Sequence, residues 1–181
     1  MLDLLRRDHS NIRRLLAVLD AKAAALRAEQ VVRFDLVRDI LDYLYHYADQ
    51  VHHAEEELLL DAVGEKFADP SLGDEIRKQH KALSEDTGSL RQLVDMVMMD
   101  AVVPKDEVLA ALENYVAHQR EHMRFEEGEL FPALEQAMES QDWDSFGQRL
   151  KEKTEKDPLF GIEVKASYQA LWSRLNEESE D

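Results

Sequence analysis

Two stretches of the chain put metal-ligand side chains where a bundle helix would normally bury leucine. The first is Val51-His52-His53-Ala54-Glu55-Glu56-Glu57-Leu58-Leu59-Leu60; the second is His122-Met123-Arg124-Phe125-Glu126-Glu127-Gly128-Glu129-Leu130-Phe131. Both contain His-x-x-x-Glu-x-x-x-Leu. Residues four apart sit one turn apart on the same helix face, so imidazole and carboxylate converge on one point. That geometry suits a metal ion.

The elements that must position these pairs are helices. Leu2, Leu5, Ile12, Leu16, Leu19, Ala23 and Leu26 form an apolar stripe in which His9 replaces the expected leucine, predicting an amphipathic helix of about seven turns. A second helix is expected from about Arg33 to about Val63, with Gly64 as its stop. Its stripe reads Leu41, Leu44, Tyr45, Ala48, His52, Glu55 or Glu56, Leu59 and Val63, whereas the register through His46, Asp49, Gln50, His53 and Glu57 is polar throughout. Amphipathicity therefore turns His52 and Glu56 inward and His53 and Glu57 outward.

After a loop around Gly64, Asp69, Pro70 and Ser71, a third helix carries Leu72, Ile76, Leu83, Leu90, Val94 and Val97, interrupted by His80, Ser84 and Thr87. Met96, Met98 and Met99 read as gap-filling core. Pro104 opens a fourth helix with Val108, Leu112, Tyr115, His122, Glu126, Leu130 and Ala133 on one face. Pro132 should kink it, with Gly128 easing the clash. His118, one turn before His122, is expected to support the site or lie at the surface. Tyr45 and Tyr115 are expected to pack in the core.

The halves repeat. His9 to His80 is 71 residues, and His52 to His122 and Glu56 to Glu126 are 70 each. Tyr45 and Tyr115 precede the paired His by seven, and Leu60 and Leu130 follow the Glu by four. Two such hairpins predict an all-α fold, an up-down-up-down antiparallel four-helix bundle over residues 1–139. Residues 140–181 read as a helical appendage covering the bundle, built on Trp143, Phe146 and Leu150, an Asp157-Pro158-Leu159-Phe160-Gly161 turn, and Tyr168, Leu171, Trp172 and Leu175. The acidic tail, residues 177–181, is expected to fray.

Composition narrows the function. With 22 Lys+Arg against 39 Asp+Glu the net charge is −17, a field that repels nucleic acid and anionic membranes. Cysteine is absent, which removes disulfides, zinc-thiolate sites, iron–sulfur clusters and thiol catalysis. No run of 18 apolar residues and no signal-peptide core is found in the sequence, so a cytoplasmic protein is the simplest expectation.

The candidate ligands are His9, His52, Glu56, His80, His122 and Glu126. At about 1.5 Å rise per residue, His9 lies roughly 12 Å into the first helix, and His52 and Glu56 roughly 17 and 11 Å from the end of the second. Unpaired, each buried carboxylate would cost several kcal/mol, which divalent metals offset. Four His and two Glu are too many for one tetrahedral zinc and suit two first-row metals bridged by the carboxylates.

Asp8-His9 with Ile12, His52-His53 with Glu56, His80, and His122 with Glu126, Leu130, Phe131 and Pro132 make residues 1–139 resemble the hemerythrin-like family of HHE cation-binding domains. Trp143 and the Asp157-Pro158-Leu159-Phe160 turn are similar to a bacterial subset with a C-terminal extension. The resemblance implies a di-iron centre, with manganese or zinc as alternatives. Glu56 and Glu126 would bridge, with His9 and His52 on one iron and His80 and His122 on the other.

The family's oxygen carriers place His-x-x-x-His on the third helix, where this chain has Ser84, and Asp61 stands where Phe is frequent. The absent fifth histidine leaves an extra open position, favouring reactive binding of O2, peroxide or NO. Three functions are open: binding of O2 or a related small molecule for sensing, storage or stress response; a redox enzyme acting on peroxide or nitric oxide; and a metal-stabilised protein-interaction module.

Overall fold

A computed structural model describes residues 2–177; the expectation for the acidic tail falls on residues 178–181, outside the described residues. Among the described residues, six longer helices and two short 3-10 turns, Gly64–Lys66 and Ala166–Tyr168, make up the regular structure. α1 is Leu2–Arg27, with no Gly or Pro in its length. α2 (34–63) runs as α-helix Phe34–Tyr43, π-helix Leu44–His52 and α-helix His53–Val63. α3 is Leu72–Met98. α4 (105–137) comprises Lys105–Phe125, the π segment Glu126–Leu130 and Phe131–Ala137. α5 is Ser140–Glu155 and α6 is Gln169–Glu177.

The result is a helical bundle in which α1 packs on α4, α2 on α3, α3 on α4, and the π segment of α2 on α1. The half-chain repeat extends to how helices end. Glu29 after α1 and Asp100 after α3 both take left-handed φ, 59° and 58°, and lie 71 residues apart. Each lets the next N–H reach back five residues, Gln30 to the Ala25 carbonyl and Ala101 to the Met96 carbonyl, satisfying carbonyls the helix leaves open.

Buried apolar residues fall into two clusters with a polar layer between them. One holds Leu16, Leu19, Ile40, Leu44, Leu90, Leu112 and Tyr115; the other holds Leu5, Leu59, Ile76, Leu130, Phe131 and Leu134. Along every helix of the bundle the chain passes from one cluster to the other across a candidate ligand: Leu5–His9–Ile12, Ala48–His52–Leu59, Ile76–His80–Leu90 and Val116–His122–Leu130.

Two expectations need correction. Met96, Met98 and Met99 are exposed, not core, because they occupy the last turn of α3 and its cap, beyond the packed face. Tyr45 is half-buried, with the Arg91 guanidinium 4.4 Å above its ring; Tyr43 and Tyr47 are the buried tyrosines of α2. Pro132 is accommodated by a π segment. With no N–H to donate to the Gly128 carbonyl, it comes directly after the wider turns of Glu126–Leu130.

Candidate metal centre

All six expected ligands are buried and gather in the polar layer. His9 comes from α1, His52 and Glu56 from α2, His80 from α3, and His122 and Glu126 from α4. Their donor atoms form two groups that share both glutamates: His9, His52, Glu56 and Glu126, then Glu56, His80, His122 and Glu126, each with ligand atoms within 4.8 Å of one another. A third group of the same span is His53, His80 and His122.

The imidazoles point one nitrogen inward. His9 Nε2 is 3.2 Å from Glu126 Oε2, His52 Nε2 is 3.5 Å from Glu56 Oε1, and His122 Nε2 is 3.1 Å from Glu126 Oε1. His80 Nε2 lies 3.4 Å from Glu56 and 3.2 Å from Glu126. Yet His9 Nε2, His122 Nε2, both Glu56 oxygens and Glu126 Oε2 have no hydrogen-bond partner among the described residues. They are close without hydrogen-bond geometry, because they aim at common points rather than at each other. Orphaned buried polar atoms are costly, and a cation between them removes that cost. The donor set therefore fits metal.

The other ring nitrogen of His9, His80 and His122 faces outward to a hydrogen-bond acceptor. Nδ1 of His9 meets Glu127 at 2.9 Å, itself held by Arg13 at 2.7 Å; Nδ1 of His122 meets Gln79 at 3.1 Å; Nδ1 of His80 meets Glu57 at 3.3 Å. Nδ1 of His52 lies 3.4 Å from Asp8 and that of His53 lies 3.8 Å from Asp49, both without hydrogen-bond geometry. An acceptor at Nδ1 places the proton there and leaves the Nε2 lone pair for a metal. Phe131 stacks on the His9 ring, with centroids 5.4 Å apart.

The carboxylates and imidazoles of the layer shift one another's titration. Burial works against charge on His52, but Glu56 and Asp8 outweigh it and hold its pKa up at about 9. His80, buried likewise, is held at about 10 by Glu126 and Glu56. Glu126 is pulled well below the carboxylate range against its burial, by His122, His80 and His9. His53 goes the other way: burial, with His80 and His122 beside it, keeps it well below the usual value and therefore neutral.

The family model for the hemerythrin HHE cation binding domain matches residues 1–134. The chain belongs to the hemerythrin HHE family. No curated protein and no solved structure matches it. Membership makes this a metal-binding helical protein, in keeping with the donor groups above. Among the described residues no helix is long and apolar enough to cross a membrane.

In this hemerythrin domain, His53 is the residue that sequence reasoning misplaced. It is 3% exposed, and its ring stacks on His80 with centroids 4.2 Å apart and planes 7° from parallel. The π segment Leu44–His52 explains the error. Each extra residue turns the downstream helix by about 100° relative to α phase, so His52 and His53 both reach the polar layer, and the Asp49 carboxylate is buried as well. Glu57 is half-exposed and holds His80, while Glu55 is buried under Arg149 and Lys153 of α5. His118 is exposed and pairs with Asp86 at 2.8 Å.

Proposed function

We propose that this hemerythrin HHE domain holds two iron ions and binds O2 or a related small molecule in the cytoplasm, as a sensor, store or stress protein. The observation that carries the reading is the convergence of buried histidines from four helices on two shared glutamates, with a hydrogen-bond acceptor behind the rings of His9, His80 and His122. Glu56 and Glu126, common to both donor groups, would hold both ions, His9 and His52 one of them, and His80 and His122 the other. His53 adds a third nitrogen to the His80–His122 side, taking the role that Ser84 on α3 cannot.

Two irons would supply one-electron chemistry toward O2, NO or peroxide. The chain's own residues do the rest. Glu127, Asp8, Asp49, Glu57 and Gln79 orient the rings, and the two apolar clusters exclude water from above and below. A cleft of about 250 Å3 lined by Gln79, Leu83, His118, Glu121 and His122 leads from the surface to the edge of the centre, and is the approach for a small molecule. We read the bundle as up-down-up-down over residues 1–139 with an appendage at 140–181. Pairs such as Arg38 with Asp95, at opposite ends of α2 and α3, and Arg77 with Asp61 support antiparallel neighbours.

Anaerobically purified protein should contain two irons per chain and gain a visible band with O2 that reverses when O2 is removed. Loss of that reversibility with turnover of peroxide or NO would move the reading to an enzyme. Full stability and no metal would reduce it to an interaction module.

His53→Ala tests whether the inward His53 ligates. The inward position predicts weaker retention of one of the two ions, by more than the roughly 10–100-fold typical of a lost supporting partner. Unchanged iron content would mean that His53 packs in the layer without ligating.

A further inference from the structure

We propose that the C-terminal appendage is a working part of the metal centre, with Asp157 as a positioning residue that acts on His52 through Tyr43, Tyr47 and Asp8. The inference rests on the reading of His52 as a ligand and extends it to residues outside the matched domain.

Asp157 is 1% exposed and sits in the turn between α5 and α6. Its Oδ1 accepts the backbone N–H groups of Leu159 at 2.8 Å and Phe160 at 3.0 Å, which leaves Oδ2 to accept the Tyr43 hydroxyl at 2.9 Å. Tyr43 stacks on Tyr47, with centroids 5.4 Å apart and planes at 16°, and the Thr154 hydroxyl of α5 lies beside the Tyr47 hydroxyl. Tyr47 donates to Asp8 Oδ2 at 3.3 Å, and the same oxygen stands 3.4 Å from His52 Nδ1, an ion-pair distance without hydrogen-bond geometry. Asp8 Oδ1 has no partner among the described residues, so Tyr47 is the neutral donor that fixes which way this carboxylate faces.

The turn itself is tightly anchored. Arg7 donates to the Phe160 carbonyl at 2.9 Å, and Arg14 lies 5.4 Å over the Phe160 ring. A Cβ on Gly161 would meet the Asp157 carbonyl oxygen at 2.4 Å, so only glycine allows the turn to close over Asp157. A cover for apolar surface needs Leu159 and Phe160; it does not need a buried carboxylate with all its hydrogen bonds directed. The His53–His80–His122 side takes its acceptors from Asp49, Glu57 and Gln79 of α2 and α3 alone. The two halves of the centre therefore differ in their dependence on the appendage.

The test is anaerobic titration of full-length metal-free protein with Fe(II), reading the two binding steps separately, with Co(II) spectra as a second readout. Tyr47→Phe and Asp157→Ala should weaken one step about 10-fold and leave the other unchanged, and Asp157→Asn, which keeps an acceptor for Tyr43, should recover most of the loss. Leu171→Ala removes appendage packing without touching this chain of contacts; it should lower Tm and spare both steps. Equal weakening of both steps, or no change in either for Tyr47→Phe, overturns the role of Asp157. A wild-type protein that takes up no metal overturns the dinuclear reading itself.

Discussion

Glu126→Ala is expected to strip both ions from the centre, not one. Glu126 belongs to both four-residue donor groups, and its oxygens stand 3.1–3.2 Å from the inner nitrogens of His9, His80 and His122. On the two-ion reading, removing a histidine would take one nitrogen from one ion, whereas removing this carboxylate would take an anionic donor from each, and with it the charge that offsets two cations in a buried layer. Each affinity should fall by more than about 100-fold, beyond the loss from an outer partner such as Gln79. Elemental analysis after gel filtration and Fe(II) titration would measure it. Retention of one ion at near wild-type affinity would refute the shared position of Glu126.

Removing the metal should lower Tm by roughly 10–30 °C. An ion present at 100–1,000 times its Kd contributes about 2.7–4.1 kcal/mol, two contribute about twice that, and about 1 kcal/mol shifts a chain of this size by roughly 2–4 °C. The difference should depend on pH, with a sign set by the layer. In the metal-free protein the folded pKa values of His52, about 9, and His80, about 10, lie above the unfolded value of about 6.5. Their contribution is complete below about pH 6.5 and disappears as pH rises through 9–10. Asp49, raised to about 7 by burial, acts in the same direction at lower pH. Glu126, held low, contributes stability that is lost as pH falls through its depressed pKa.

The metal-free protein should therefore be most stable in mildly acidic solution and weaken toward alkaline pH. Metal must displace the same protons, so its affinity rises over that range and the gap in Tm between loaded and metal-free protein widens. Calorimetry at pH 6, 7.5 and 9 with and without chelator tests this. A gap that narrows toward pH 9 would contradict it.

Much of this was legible in the residues. The stripes of α1 and α3 with His9 and His80 in place of leucine, and the repeated His-x-x-x-Glu, name six side chains that do meet in one layer. The family match agrees with the resemblance those motifs carry. What could not be read was helix phase within α2. Amphipathic reasoning assumes 3.6 residues per turn throughout, and nothing in Leu44–His52 announces a π-helix; there is no Pro or Gly, and the segment is polar and aromatic by turns. The same blind spot moved Tyr45 outward and Tyr47 inward. Asp157 escaped for another reason: its partner Tyr43 is 114 residues away, and no local pattern reports so distant a contact.

The polar layer between the two apolar clusters has one further consequence, for how the helices choose their axial alignment. Leucine surfaces are interchangeable, so a bundle buried only by them can slide by a helical turn, about 5.4 Å, at small cost. Here a slide of one helix would carry its histidine into a leucine layer and leave the glutamates facing hydrocarbon. Only one alignment keeps the polar groups of all four helices in the same layer. The ligands thus act as a vernier scale written across the bundle, as a single buried Asn does in a coiled coil, and the chain can find its register before any ion arrives.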